Sequence, residues 1–337
     1  MTDNLPDGTR PDSARTHPPR PIDLVALVTF DDAVYENQAV TRERLSRPSA
    51  APPALNTAIE QWLVRRRHMW IDVDGRQING IATARSLAND DAWIIDTLID
   101  ATLNATVDSA EAPGSGVVLA LLDQAIEAAT QGAVTRLLLR TPADAPALSD
   151  ALRAGFQPAL SERLWAGRTI ETTAPPAEAV TVREAVDGDA FELFQLFNRA
   201  LPFNARQALA ITLAEREGVQ DRRWLARNAR EWVAEEQGHI TASLRLSLTT
   251  ELAQFDLMAD RESLRGAQAL LATAATQISD RDQVITLAPR AIAPLEGLLR
   301  DHGLEPQADY ALVSKRTAKP SVATVQAHRG VVVSRGY

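Results

Sequence analysis

The chain has 337 residues, 45% of them apolar and 23% charged, and no cysteine. That length fits two ordinary domains, and without cysteine neither a disulfide framework nor thiolate chemistry is available. With 35 basic against 44 acidic groups, a net charge of -9 argues against a general nucleic-acid binder, which carries a basic face.

Residues 1–20 are rich in Pro, Asp, Arg and Thr, lack an apolar period, and read as a disordered tail. This polar start does not resemble a signal peptide, and no apolar run approaches the roughly 18 residues of a membrane span. A soluble cytoplasmic protein with no membrane partner is the simplest reading. The run IDLVALVTF (22–30) is expected as the first strand, with Asp31 and Asp32 as helix caps after it. Residues 46–54 form a flexible connection, and TAIEQWLVRRR (57–67) a helix. The basic run Arg65, Arg66, Arg67, His68 then reads as a solvated helix end. A hairpin follows, HMWIDV and QINGIATARS about the favoured turn Asp74-Gly75. AWIIDTLID is the next strand. A polar loop with Pro113, Gly114 and Gly116 opens the helix VVLALLDQAIEAATQG, and VTRLLLR, a helix and ERLWAG close the first half.

After a Pro-paired linker at 170–179 the same order returns. VTVREAV is a strand, Asp187 or Asp189 caps the helix AFELFQLFNRAL, and helical segments are expected over 205–230. A hairpin turns at Gly238, then come ELAQFDLMA, the helix LRGAQALLATAATQI, the strand QVITLAP, a helix and YALVSKRTA. The repeat is also literal. Pro146, Gly155, Phe156 and Pro158 recur in the same spacing as Pro294, Gly303, Leu304 and Pro306. Such self-similarity marks two copies of one fold, here 21–169 and 180–318, with a tail at 319–337 that carries one short apolar run. In each copy the hairpin and the next strand can pair antiparallel, and the later strand–helix–strand unit supplies a parallel pair. The fold class is α/β, a mixed sheet with helices on both faces.

This order resembles the GNAT superfamily of acyl-CoA-dependent N-acetyltransferases, once in each half. The resemblance covers nearly the whole chain between the tails and rests on element order and a few landmarks. It implies two tandem GNAT-like folds and an acyl transfer from acetyl-CoA to a small-molecule or peptide amine. In the family a loop of the pattern Gln/Arg-x-x-Gly-x-Gly/Ala cradles the CoA pyrophosphate with backbone amides at a helix start. Here it corresponds to Glu111-Ala112-Pro113-Gly114-Ser115-Gly116, so Gly114, Ser115, Gly116, Val117 and Val118 are the expected CoA contacts. Glu111 departs from the pattern. In the second half Arg261-Glu262-Ser263-Leu264-Arg265-Gly266 keeps one glycine, and a plain helix start is the other reading.

The family's general acid, a tyrosine in the later helix, corresponds to Ala151 and Leu299, neither of which moves a proton. An acidic residue on the fourth strand often serves as base; Asp96 and Asp256 hold that place, with Asp100 on the face of Asp96. An Asp in an apolar strand is costly unless paired, and an unpaired one gains basicity. A place at the solvent-facing end of the strand, or pairing with an arginine, is the other reading. The histidines, His17, His68, His239, His302 and His328, fit no zinc spacing, so no metal is expected. Two functions stay open: an acyltransferase whose first copy binds CoA, and a non-catalytic tandem fold that binds a ligand or partner.

Overall fold

The computed structural model describes residues 15–30, 34–45, 67–103, 116–171, 180–278 and 283–317. Apolar residues on both faces build the central strands, as buried sheets require. The first hairpin pairs β2 (Arg67–Asp74) with β3 (Gln77–Ser86) about Gly75, whose φ of 63° suits its turn. Along β4 (Ala92–Asp100) every residue is buried. Helix α2 (Val117–Gln131) returns the chain to β5 (Arg136–Pro142), parallel to β4. Helix α3 (Pro146–Arg153) and β6 (Gln157–Gly167) follow.

The second half gives β7 (Thr181–Glu184), α4 (Ala190–Ala200), α5 (Phe203–Leu209) and α6 (Leu213–Gly218). The hairpin β8 (Arg230–Glu236) and β9 (His239–Leu248) leads into β10 (Leu252–Ala259). Then come α7 (Arg265–Ile278), β11 (Gln283–Pro289), α8 (Ala293–Asp301) and β12 (Glu305–Arg316). Among the described residues no helix is long and apolar enough to cross a membrane.

The literal repeat has a local cause. Pro146 and Pro294 stand in the first turns of α3 and α8, where a missing N–H costs nothing. Gly155 (φ 83°) and Gly303 (φ 82°) end them in the left-handed conformation. After each, Phe156 N–H donates to Ala151 and Leu304 N–H to Leu299, and both apolar side chains are buried.

The described strands join in one sheet of order β1-β2-β3-β4-β5-β12-β6-β11-β10-β9-β8-β7, where β1 is Thr16–His17. The halves exchange their last strands. β12 pairs antiparallel with β5, β6 pairs antiparallel with β11, and β6 and β12 pair with each other. The sheet therefore runs unbroken across the junction of the two copies. Helices cover both faces. Leu244, Leu246, Phe255 and Leu257 share a buried cluster with Leu270 and Ala274 of α7. Met258, on the other side of β10 from Leu257 by the two-residue period, packs with Leu193 and Leu196 of α4.

Four sequence expectations need correction. The run expected as a first strand contains the short helix α1 (Leu24–Thr29); five apolar residues in a row carry no period that separates strand from buried helix. Thr16 and His17, placed in the tail, form β1 against β2. Helix fills 205–230 only as far as Gly218. Asp189 stands at the N-cap of α4 but its side chain makes no cap bond to that helix. It ends a 3-10 turn, accepts from Val186 N–H at 2.8 Å and pairs with Arg183. The expected caps Asp31 and Asp32 lie outside the described residues, as does the expected helix before Arg67. Arg67 and His68 themselves open β2.

Candidate functional site

Each parallel pair is short. β4 and β5 pair only from Ala92–Arg136 to Ile95–Leu139, and β10 and β11 only from Leu252–Gln283 to Phe255–Thr286. Beyond these points the strands run on unpaired with each other, leaving a cleft within the sheet in each half. Asp96 and Asp256 are the first residues past the pairing.

In the first half the chain closes its own cleft. Gln38 N–H donates to Leu98 of β4 at 2.9 Å, and Val40 N–H to Arg140 of β5 at 2.8 Å. Asn37 locks the entry: its side-chain oxygen accepts from Leu98 N–H and Ala39 N–H, and its amide donates to the Asp96 carbonyl. Gln38 Oε1 accepts from Ala147 N–H at the start of α3. Asn37, Gln38, Ala39 and Thr41 are all buried. Such a segment replaces the ladder bonds that β4 and β5 no longer exchange.

Asp96 lies beneath this segment and is itself the extra residue of a bulge in β4, skipped between the pairs Thr83–Thr97 and Ala84–Ile95. It is fully buried and fully paired. Thr83 donates to it at 2.6 Å, Arg67 bonds its other oxygen, and Arg85 Nε lies 3.8 Å away. Arg85 turns its far end to both oxygens of Asp221, from the second half. Arg44 donates to the Asp96 carbonyl at 2.6 Å; burial lowers the guanidinium's pKa, and Asp96 works against that shift.

The second cleft differs. Among the described residues no loop backbone bonds to Asp256 or Met258 as Gln38 bonds to Leu98. Asp256, Leu257, Met258 and Pro289 line instead a cavity of about 160 Å³. Asp256 pairs with Arg42 at 3.1 Å, and the Arg42 carbonyl accepts from Gln254 at 2.9 Å. Burial would lower the Arg42 pKa, but Asp256, Glu162 and Asp221 hold it above its ordinary value. One segment thus closes the first cleft and supplies the cation of the second.

The helix starts also differ. Gly116, φ 77°, precedes α2 in a conformation costly for other residues. Val117 and Val118 follow as its first, buried residues. Gly114 and Ser115 lie outside the described residues. Gly80 on β3 lets α2 lie close, since a Cβ there would come 2.4 Å from Val117. In the second half Gly266 serves the same packing from the helix side; its Cβ would meet Thr241 at 2.5 Å. Glu236, buried beside this start, pairs with Arg265 at 3.0 Å and accepts from Thr241 and Ser263. Arg261 donates to the Arg199 carbonyl. Both cations of this helix start thus have partners within the protein.

Ala151 and Leu299 are fully buried. Tyr310 lies on β12, and burial pushes its phenol up while Arg140 opposes. The sequence reading did not single out Arg42, Arg85, Arg140 or Glu162. Their signal is weak, since a charged residue in a strand is only informative once its burial is known.

No family model matches the chain, and no curated protein does. Solved structures do. A tandem GNAT protein from the clavulanic acid biosynthesis pathway is 15% identical, covers 88% of this chain and 94% of its own, and has a TM-score of 0.44. A GCN5-related N-acetyltransferase from Sphaerobacter thermophilus is 15% identical over 90% of this chain and 96% of its own, with a TM-score of 0.47. Another from Kribbella flavida is 15% identical over 88% and 68%, with a TM-score of 0.44.

Proposed function

We propose that the chain is an acyltransferase that moves an acyl group from acyl-CoA, acetyl-CoA in the simplest case, to an amine of a small molecule or peptide. Its first half is the CoA-binding one. The observation that carries this is the contrast between the two helix starts. α2 begins directly after Gly116, in the left-handed conformation, with no carboxylate in its first turn, while α7 begins against the Glu236 carboxylate. A diphosphate over Gly114, Ser115, Gly116, Val117 and Val118 would meet backbone amides and the positive pole of α2. Over α7 it would meet an anion.

Transfer breaks the thioester C–S bond and forms an amide. The amine loses a proton and the departing thiolate gains one. With Ala151 and Leu299 aliphatic, that proton passes directly or through water. The thioester arm needs the cleft between β4 and β5, so Asn37–Thr41 has to withdraw for turnover. Both oxygens of Asp96 already accept, one from Arg67 and one from Thr83, and the group is fully buried. In this reading Asp96 is therefore a positioning residue, holding Arg67 and Arg85 for the acceptor. The same closed cleft favours a second reading, a fold that binds CoA without transfer.

Thermal unfolding with and without acetyl-CoA tests the site. A ligand at ~100 times its dissociation constant stabilises by about 2.7 kcal/mol. Gly116→Val, β-branched at positive φ, should lose the shift and Arg265→Ala should keep it. The reverse pattern would put CoA in the second half. Thiol release with an amine panel separates the readings: binding without release supports the second.

A further inference from the structure

The geometry points to the cavity between the two halves as a binding site for a small organic anion with an apolar body, anchored by Arg216. Its wall is mostly aliphatic and aromatic, with Ile94, Leu138 and Leu312 on one side and Phe197, Leu209 and Trp224 on the other. Its volume of about 160 Å³ is close to the ~150 Å³ of an apolar cavity that admits benzene.

The charges decide what the apolar body carries. Four guanidinium groups line the cavity: Arg42, Arg140, Arg216 and Arg245. Three have partners. Arg42 pairs with Asp256 at 3.1 Å, Arg140 with Glu162 at 2.7 Å and Arg245 with Glu231 at 2.8 Å. The remaining lining carboxylate, Asp221, is taken by Arg85 at 2.9 Å. Among the described residues this leaves Arg216 with no salt bridge and no side-chain hydrogen bond, though it is only 8% exposed; Glu231, Asp256 and Glu217 attract it only from beyond contact. Its one contact of note is the Phe197 ring, 5.9 Å from the guanidinium carbon. Burial, with Arg245 adding to it and Glu231, Asp256 and Glu217 opposing, brings Arg216 down to about 10, so it still carries its charge at neutral pH.

A buried cation without a counter-ion in contact is costly. An anionic headgroup on Arg216 supplies the missing charge, and the planar guanidinium fork suits carboxylate or phosphate alike. The wall then takes the apolar remainder. Nothing in this depends on acyl transfer, and the test uses no CoA, so either reading can fail alone.

The full chain is titrated, at fixed ionic strength, with benzoate, phenyl phosphate and the neutral isostere benzamide, following thermal unfolding and binding heat. Benzoate or phenyl phosphate should raise the melting temperature and benzamide should not. The tighter of the two anions identifies the headgroup. Arg216→Met should weaken the anion by about 10- to 100-fold, the worth of one charge-assisted bond. Equal binding of benzamide and benzoate, or no binding of either anion at tens of millimolar, overturns the proposal without any variant. An undiminished benzoate affinity in a folded Arg216→Met or Arg216→Gln does so too.

Discussion

Asp96 and Asp256 stand at equivalent points of the two halves, each the first residue beyond its parallel strand pair, yet Asp96 is 0% exposed and the side chain of Asp256 30%. Each is held by arginine: Asp96 by Arg67 of its own hairpin, Asp256 by Arg42 from the other half. The same topology therefore yields one sealed carboxylate and one at the wall of a cavity.

Asp96→Asn removes the charge and leaves Arg67 and Arg85 buried against a neutral amide. Breaking a buried pair from one side costs about 3–5 kcal/mol, so the denaturant midpoint should fall well below wild type. As a positioning residue, Asp96 should affect turnover together with acceptor KM. A loss of about 100-fold or more in kcat, with stability and KM unchanged, is the signature of a general base and would refute the positioning role.

Asn37→Ala removes three hydrogen bonds from the segment that closes the first cleft, and exposes the buried Leu98 N–H to an unmet bond. It should cost about 1–3 kcal/mol. The open cleft becomes more populated, and apparent affinity scales with that population. CoA should therefore bind more tightly in calorimetry. A destabilised variant whose CoA affinity is unchanged would show that the segment does not cover the proposed CoA site.

Gly80→Ala places a methyl group 2.4 Å from Val117 and 2.8 Å from the Ile99 carbonyl. Overpacking of this kind costs about 1–3 kcal/mol. Gly188→Ala, with nothing within 4 Å, is the control. Urea unfolding should separate the two; equal midpoints would mean that α2 can shift off β3 at no cost.

Asp189 gives a pH dependence. Hydrogen bonds from Arg183 hold its carboxyl below the ordinary range, against the opposing effect of burial. A carboxyl depressed on folding adds stability that is fully present above its unfolded pKa, about 3.9, and is lost as pH falls through the lower folded value. The stability gap between wild type and Asp189→Asn should therefore be constant near neutrality and shrink below about pH 4. A gap that persists at the acid end would assign the effect to packing.

What could be read from the residues was what local chemistry controls. Gly75, Gly155, Gly238 and Gly303 all adopt positive φ, and each was legible as a turn or helix stop. So was the order of hairpin, strand, helix and strand, because period and turn residues are local signals. The exchange of β6 and β12 was not, since any strand edge can accept any other and the choice is made by distant residues. The closing segment around Asn37–Thr41 has no period and no motif. Arg216 looks like any exposed cation on a short helix, and only its burial without a partner sets it apart. Gly114 and Ser115, for which the loop pattern was clearest, lie outside the described residues.

The exchanged strands also bear on how the chain is born. A ribosome delivers Arg136–Pro142 early and its neighbour Glu305–Arg316 last, at about 5–20 residues per second. For most of synthesis β5 has an open edge on that side, the kind of edge that captures foreign strands. The strand made soonest afterwards, β6, belongs elsewhere, beside β11. The first copy is therefore closed only when the end of the second is made, and a stop anywhere before Glu305 leaves β5 without its neighbour.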